Sequence, residues 1–262
     1  MSHSTTNPFA VITGASRGIG ADYARALAAR GYDLLLVARA RDRLERLASE
    51  LAGRFPVAAD VAVLDLALPE AANRLFTAAR ERRPATDLLI NNAGFGLFGP
   101  FAEQPMPRIQ EMLRLHVNTV VESIRLFLPG MIERRSGGII NVASTAGFMP
   151  LAYIAEYAAT KAFLITFSQA LAEEVRASNV RVQACCPGST ITDFHETAQF
   201  KPRNPFKAQT SMEVVAVSLA ALDRGPAVVT TNWSGALVDR LGRWVPRRLL
   251  ARGAASWMRK SR

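Results

Sequence analysis

Short apolar runs alternate with longer helical patterns along most of this 262-residue chain, and that alternation limits what it can fold into. Ala10–Thr13 reads as a strand, followed by a glycine-rich turn and a helical stretch through Arg30. Asp33–Ala38 is the next strand, and a helix over Arg41–Leu51 follows with Leu44, Leu47 and Leu51 at helical spacing. Val57–Leu64, Leu88–Ile90, Gly138–Val142 and Val180–Ala184 continue the strand series, and Ala227–Thr231 closes it. Helices are predicted over Glu70–Arg82, from Pro107 to Ile132, and over Glu156–Ala177. Such alternation favours parallel strands joined by right-handed crossovers. Strands apolar at every position, such as Leu34–Val37, suit a sheet covered on both faces. The expectation is a single α/β domain, a doubly wound parallel sheet of about seven strands with helices on both faces. It would span residues 9–235, after an N-terminal extension (1–8) and before a basic C-terminal extension (236–262). Residues 189–213 break the pattern as a long connection, and connections of that length are often lids.

Composition closes other routes. With 49% hydrophobic and 21% charged residues the chain is globular rather than disordered. No apolar run approaches the ~20 residues of a membrane-spanning helix. The opening MSHSTTNPF lacks the basic-then-apolar order of a secretory signal. Cys185 and Cys186 are adjacent, and neither they nor His3, His116 and His195 have metal-ligand spacing. A cytoplasmic protein with no metal site and no disulfide framework is expected. Lys and Arg number 32 against 22 Asp and Glu, a net charge of +10. That charge suits nucleic acid, anionic lipid or a phosphorylated ligand without choosing among them. No nucleic-acid-binding motif accompanies it, so no nucleic acid partner is expected.

The turn after the first strand reads Thr13-Gly-Ala-Ser-Arg-Gly-Ile-Gly20. Glycines there allow a tight turn and let a pyrophosphate approach the backbone at the positive end of a helix. The spacing is Gly14-x-x-x-Gly18-x-Gly20, not G-x-G-x-x-G. Further along lie Asn91-Asn-Ala-Gly94, Ser144, Tyr157-Ala-Ala-Thr-Lys161 and Pro187-Gly188, each just past a predicted strand or on the following helix. In order and spacing this set resembles the short-chain dehydrogenase/reductase family over roughly residues 9–192.

The resemblance implies a Rossmann-type fold and a nicotinamide cofactor held by Gly14, Ser16, Arg17, Gly18, Ile19 and Gly20. It places Asp65 and Leu66 beside the adenine, and Asn92, Ala93 and Gly94 along the cofactor wall. Pro187, Gly188, Thr190 and Thr192 would turn over the nicotinamide. On residue chemistry alone, Asp65 serves as well in the acidic approach to a helix, and Asn-Gly and Pro-Gly pairs serve as ordinary turns. An acid about 20 residues past the glycines selects NAD, whereas arginine accommodates the phosphate of NADP. The second strand ends Val37-Ala38-Arg39-Ala40 with no acid at its tip, and Arg17 adds a second cation. Both favour NADP(H), since guanidinium binds phosphate through charge-assisted hydrogen bonds. A solvated charge at a helix start is the bland reading of Arg39.

Tyr157 and Lys161 are four apart in a helical segment and share a face. Carbonyl reduction needs a proton donor, and a tyrosine of pKa ~10 is a weak participant at neutral pH. A nearby ammonium is expected to favour the phenolate and lower that pKa. The resemblance also has Lys161 bond the nicotinamide ribose. Ser144, thirteen residues before Tyr157, would hold the substrate oxygen. Asn118 matches the family asparagine at a helix kink linking the lysine to solvent; a satisfied core asparagine fits equally. His116 reads as a packing residue, and the cysteines as strand-end filling.

A carbonyl/alcohol oxidoreductase is therefore expected, acting on a small molecule and, by the family's habit, as a homodimer or homotetramer. A non-catalytic NADP-binding regulatory or scaffold protein would be expected to have lost Tyr157 or Lys161. Phe95, Phe98, Phe148, Met149, Tyr153, Phe194 and Phe206 would give the pocket an apolar wall, unless they serve the core. That wall suits a ketone, 3-oxoacyl thioester or steroid-like body. Lys201, Arg203 and Lys207 could meet a phosphorylated carrier or simply be solvated. In the tail, Leu237, Leu241, Trp244 and Val245 recur at near-helical spacing until Pro246, and Leu249, Leu250 and Trp257 follow among arginines. This segment would fold over the substrate mouth, meet a sister subunit, or rest weakly on anionic membrane.

Overall fold

The computed structural model describes residues 7–192, 208–233, 235–237 and 244–259. The strands of the main sheet are β1 (Phe9–Thr13), β2 (Asp33–Ala38), β3 (Ala59–Val63), β4 (Leu88–Asn91), β5 (Gly137–Val142) and β6 (Val180–Cys186), followed by the later β9 (Val228–Thr230). All pair in parallel, in the order β3-β2-β1-β4-β5-β6-β9. The helices are α1 (Gly18–Ala28), α2 (Arg41–Arg54), α3 (Ala71–Arg82), α4 (Met106–Leu113), α5 (Thr119–Arg134) and α6 (Ala155–Glu174), then α7 (Ser211–Leu222) and α8 (Arg247–Arg259).

Side-chain alternation along the strands builds two cores. Ala10, Ile12, Leu34, Leu36 and Ile90 face one way and meet Leu27 of α1, Leu44 of α2 and Val214 of α7. Val11, Leu35, Leu89 and Ile139 face the other way and meet Leu75 of α3, Phe127 of α5 and Leu164 of α6. Both faces are covered, which is why strands such as β1 and β4 are buried at every position.

Three elements depart from expectation. The long helix predicted from Pro107 to Ile132 is interrupted by a π-helical turn, Arg114–Asn118, between α4 and α5. Of the long connection after β6, residues 193–207 lie outside the described residues, and its two described ends are paired. β7 (Thr190–Ile191) pairs with β8 (Gln209–Thr210), and α7 begins at Ser211. Thr210 accepts from the Glu213 backbone N–H while the Glu213 carboxylate takes the Thr210 N–H, a reciprocal cap that starts α7. Beyond Pro246 the tail forms α8, while residues 238–243 and 260–262 lie outside the described residues, as do Phe194, Lys201, Arg203, Phe206 and Lys207. Among the described residues no helix is long and apolar enough to cross a membrane.

Candidate active site

All seven strands of the main sheet run the same way, and their order reverses between β1 and β4. Connections leaving those two strands diverge, and a crevice opens outside their carboxyl ends. A cleft of about 720 Å³ lies there.

Its floor begins with the turn after β1. Gly14 (φ +67°) and Gly18 (φ +54°) hold left-handed backbone that other residues adopt only at a cost. Arg17 gives α1 no side-chain cap, so the helix turns open backbone N–H groups toward the cleft. Thr13 and Asn92 fix this turn to the end of β4. The Thr13 hydroxyl donates to the Ile90 carbonyl (3.1 Å) and accepts from the N–H groups of Asn92 (2.9 Å) and Ala93 (3.1 Å). The Asn92 amide donates to the Thr13 carbonyl at 2.9 Å. A methyl on Gly20 would lie 2.3 Å from the Gly14 carbonyl oxygen, so the turn closes only around a bare glycine. The cradle fits a pyrophosphate: bare backbone, an uncapped helix start, and no acid in the loop.

Ser16, Arg17, Ile19, Asp65, Leu66, Ala93, Gly94, Pro187, Gly188, Thr190 and Thr192 line the same cleft, with Gly14, Gly18 and Asn92. Gly20 does not line it and serves the turn's packing. Asn118 does not line it either; it ends the π turn. At one end Arg39, 65% exposed, sits 3.4 Å from Glu111 and 3.7 Å from Asp65. Arg43 lies on the same wall. Sequence reasoning passed over Arg43, and its place in the first turn of α2, just past the end of β2, was the signal that could have found it.

At the other end are Ser144, Tyr157 and Lys161. Ser144 leads the 3₁₀ turn after β5, its hydroxyl accepting from the Ala146 N–H at 3.1 Å, and it hydrogen-bonds the Tyr157 phenol. Lys161, 5% exposed, donates to the Val142 carbonyl at 2.8 Å and stands 5.6 Å from the Tyr157 ring centre. Burial pushes the Tyr157 phenol up to about 12, with Ser144 pulling weakly the other way. Burial pulls the Lys161 ammonium down to about 8. A lowered phenol pKa is thus not what this environment delivers: burial raises it, and the lysine ammonium is turned onto a carbonyl. A protonated phenol at neutral pH is the state a proton donor needs.

Phe95, Leu97, Phe98, Met149, Leu151 and Ile154 give the same cleft an apolar wall. Phe148 packs on the core and Tyr153 stands behind Phe98, ring centres 6.4 Å apart; neither lines the cleft. His116 is more than packing. Its ring accepts from the Phe95 N–H and contacts Thr160 and Tyr157.

A family profile described as short chain dehydrogenase matches residues 8–202. The very-long-chain 3-oxoacyl-CoA reductase of Rattus norvegicus is 30% identical over 241 residues, 90% of this chain and 76% of that protein. A short-chain dehydrogenase from Sphingobium yanoikuyae, solved in complex with NADPH, superposes with a TM-score of 0.81 at 33% identity, covering 90% of this chain and 95% of that one. The bulky-bulky ketone specific alcohol dehydrogenase from Comamonas testosteroni is similar at 32% identity and a TM-score of 0.77, over 91% and 94% of the two chains.

Proposed function

Because the chain belongs to the short-chain dehydrogenase family of oxidoreductases, we propose that it interconverts a ketone and a secondary alcohol with NADP(H). The observation that carries this reading is Ser144, Tyr157 and Lys161 meeting at one end of a cleft whose other end is a glycine cradle. When bound, the nicotinamide cofactor supplies or accepts the hydride. Ser144 and Tyr157, hydrogen-bonded to each other, hold the substrate oxygen between them. As charge develops there, Tyr157 gives up its phenolic proton, and the Lys161 ammonium 5.6 Å from the ring centre offsets the phenolate left behind. Gly14, Ser16, Arg17, Gly18 and Ile19 carry the pyrophosphate, Asp65 and Leu66 the adenine, and Asn92, Ala93 and Gly94 the wall beneath the nicotinamide. Pro187, Gly188, Thr190 and Thr192, which line the same cleft, would hold the nicotinamide, and Lys161 would bond its ribose. Asn118 ends the π turn outside the cleft, and the family resemblance would have it link the lysine to solvent. Arg39, with Arg17 and Arg43 on the same cleft, favours the phosphate of NADP over a free ribose.

The apolar wall from Phe95 to Ile154 supports a substrate with a sizeable apolar body. Similarity to a very-long-chain 3-oxoacyl-CoA reductase and to a bulky-bulky ketone alcohol dehydrogenase adds weight. Alkyl aryl ketones, 3-oxoacyl-CoA thioesters of graded length and 3-oxosteroids, each assayed with NADPH and NADH by absorbance, test this. Turnover rising with apolar bulk and faster with NADPH supports the reading. Faster turnover with NADH, or with small polar ketones, overturns it.

The tail supports a second reading, that the chain touches anionic lipid. None of its described residues lines the cleft. Trp244 is 87% and Leu249 56% exposed, and Arg248 and Arg252 are exposed beside them. Eight Lys and Arg against Asp239 alone give residues 232–262 the charge an anionic surface would attract.

A further inference from the structure

We propose that His116 is a positioning residue, fixing the helix that carries Tyr157 to the loop that forms the cofactor wall. This rests on Tyr157 being the proton donor.

His116 lies in the π turn with 1% of its surface exposed. The Phe95 N–H donates to its Nε2 at 3.1 Å. A nitrogen that accepts carries no proton, so the ring proton sits on Nδ1. Nδ1 is 3.0 Å from the Thr160 hydroxyl, which therefore accepts from the ring and spends its own proton on the Tyr157 carbonyl at 2.8 Å. Three hydrogen bonds thus run in one direction, from the Phe95 backbone through His116 and Thr160 to the main chain of Tyr157. The imidazole also meets the Tyr157 ring edge to face, centres 5.9 Å apart at 73°.

The approach of the ring to the loop depends on Gly94, where a methyl would come within 2.7 Å of Nε2. The polarity of the line holds only for a neutral imidazole, since a second proton would set a donor against the Phe95 N–H. Burial keeps the imidazole neutral, its pKa well below the ordinary histidine value, and the Lys161 charge acts in the same direction. Gly94 and Tyr157 both line the cleft, so the line ties one wall to the proton donor on the other. A π turn shifts the following side chains by one position relative to an α-helix, and this one presents His116 to both walls.

The test is a double-mutant cycle on kcat. Thr160→Val keeps the branched shape and removes only the hydroxyl, and His116→Phe keeps the ring and removes both of its hydrogen bonds. With NADPH and the fastest ketone of the panel above, each variant should lose about ten- to hundredfold in kcat, as a small misplacement of a reacting group does. NADPH affinity, read by cofactor fluorescence, should hold. The double variant should be no slower than the slower single one, because both cut the same line. Wild-type kcat in Thr160→Val, multiplicative losses in the pair, or a loss confined to KM or to thermal stability would each overturn the proposal. Should His116→Phe fail to fold, Thr160→Val and His116→Gln carry the test. In His116→Gln the side-chain oxygen can again accept from the Phe95 N–H, and partial recovery is expected. Tyr157→Phe serves as the control: if that variant keeps full activity, the proton-donor reading has failed rather than this one.

Discussion

Burial and charge pull Tyr157 and Lys161 in ways that separate their roles. The phenol, raised to about 12, keeps its proton across the working range, while the ammonium, lowered to about 8, changes charge within it. A lysine whose pKa is depressed is charged below that value and neutral above it. Reduction should therefore hold steady near neutrality and fall as pH rises through about 8. A kcat/KM profile from about pH 6 to about pH 10 reads this limb, and Lys161→Arg, which stays charged, should remove it. A limb unchanged in that variant would assign the titration to another group. Tyr157→Phe should abolish turnover while leaving NADPH binding nearly intact; full activity there would remove Tyr157 from the chemistry. Arg39 already faces Asp65 and Glu111, so an acid in its place would put three carboxylates together. Arg39→Ala is the cleaner change. It should weaken NADPH binding by roughly ten- to hundredfold, the worth of about 1.5–3 kcal/mol for a charged hydrogen bond, and leave NADH binding alone. Equal losses for both cofactors would mean that the arginine does not read the phosphate.

The glycine turn and its neighbours make a comparable point for elements. Gly20→Ala would push a methyl 2.3 Å from the Gly14 carbonyl oxygen and 2.5 Å from the Asn92 amide, and that amide is held by Thr13. The turn must open, and NADPH affinity should drop roughly tenfold or more. Gly53→Ala in α2 meets nothing within 4 Å and should instead stabilise the fold by about 0.5–1 kcal/mol of helix propensity, read as a small rise in melting temperature. If Gly20→Ala bound NADPH as tightly as Gly53→Ala, the turn would not be the cradle. These elements were legible because apolar period and glycine spacing are local signals. The helix α7 was not read: Val214, Val215, Ser218 and Leu219 are buried, and the remaining run is nearly as apolar, so no stripe stands out. Its reciprocal cap, Thr210 with Glu213, was the readable mark. The π turn left no mark in the apolar period, since one extra residue per turn hardly disturbs a helical pattern, and only the resemblance at Asn118 pointed to a kink there. Nor could spacing show Arg39 reaching Glu111 across 72 residues, or burial raising the Tyr157 phenol.

At the scale of the molecule, charge is unevenly spread. Arginines of the cleft stand among acids, Arg39 with Asp65 and Glu111, Arg108 with Glu111. Those of the tail have only Asp239 for company after residue 231. Exposed Leu249 stands among the arginines of α8, with exposed Trp244 just before the helix, an arrangement that lets a helix lie in a lipid headgroup layer. Full-length protein should therefore sediment with anionic vesicles at low salt and release as salt screens the attraction. Arg248→Glu with Arg252→Glu should cut that binding by more than about tenfold, since each basic residue near the surface contributes about 1 kcal/mol. Activity in solution should survive, because neither arginine lines the cleft. Truncation is best made after residue 243. Gly235 packs so closely on Thr145, next to Ser144, that a methyl there would lie 2.5 Å from its side chain, and a cut at residue 236 would disturb the site itself. The truncated chain should lose vesicle binding and keep its kcat. If it instead falls to a smaller assembly by light scattering while vesicle binding was never present, the exposed face of α8 belongs to a second copy of this chain and the lipid reading is wrong.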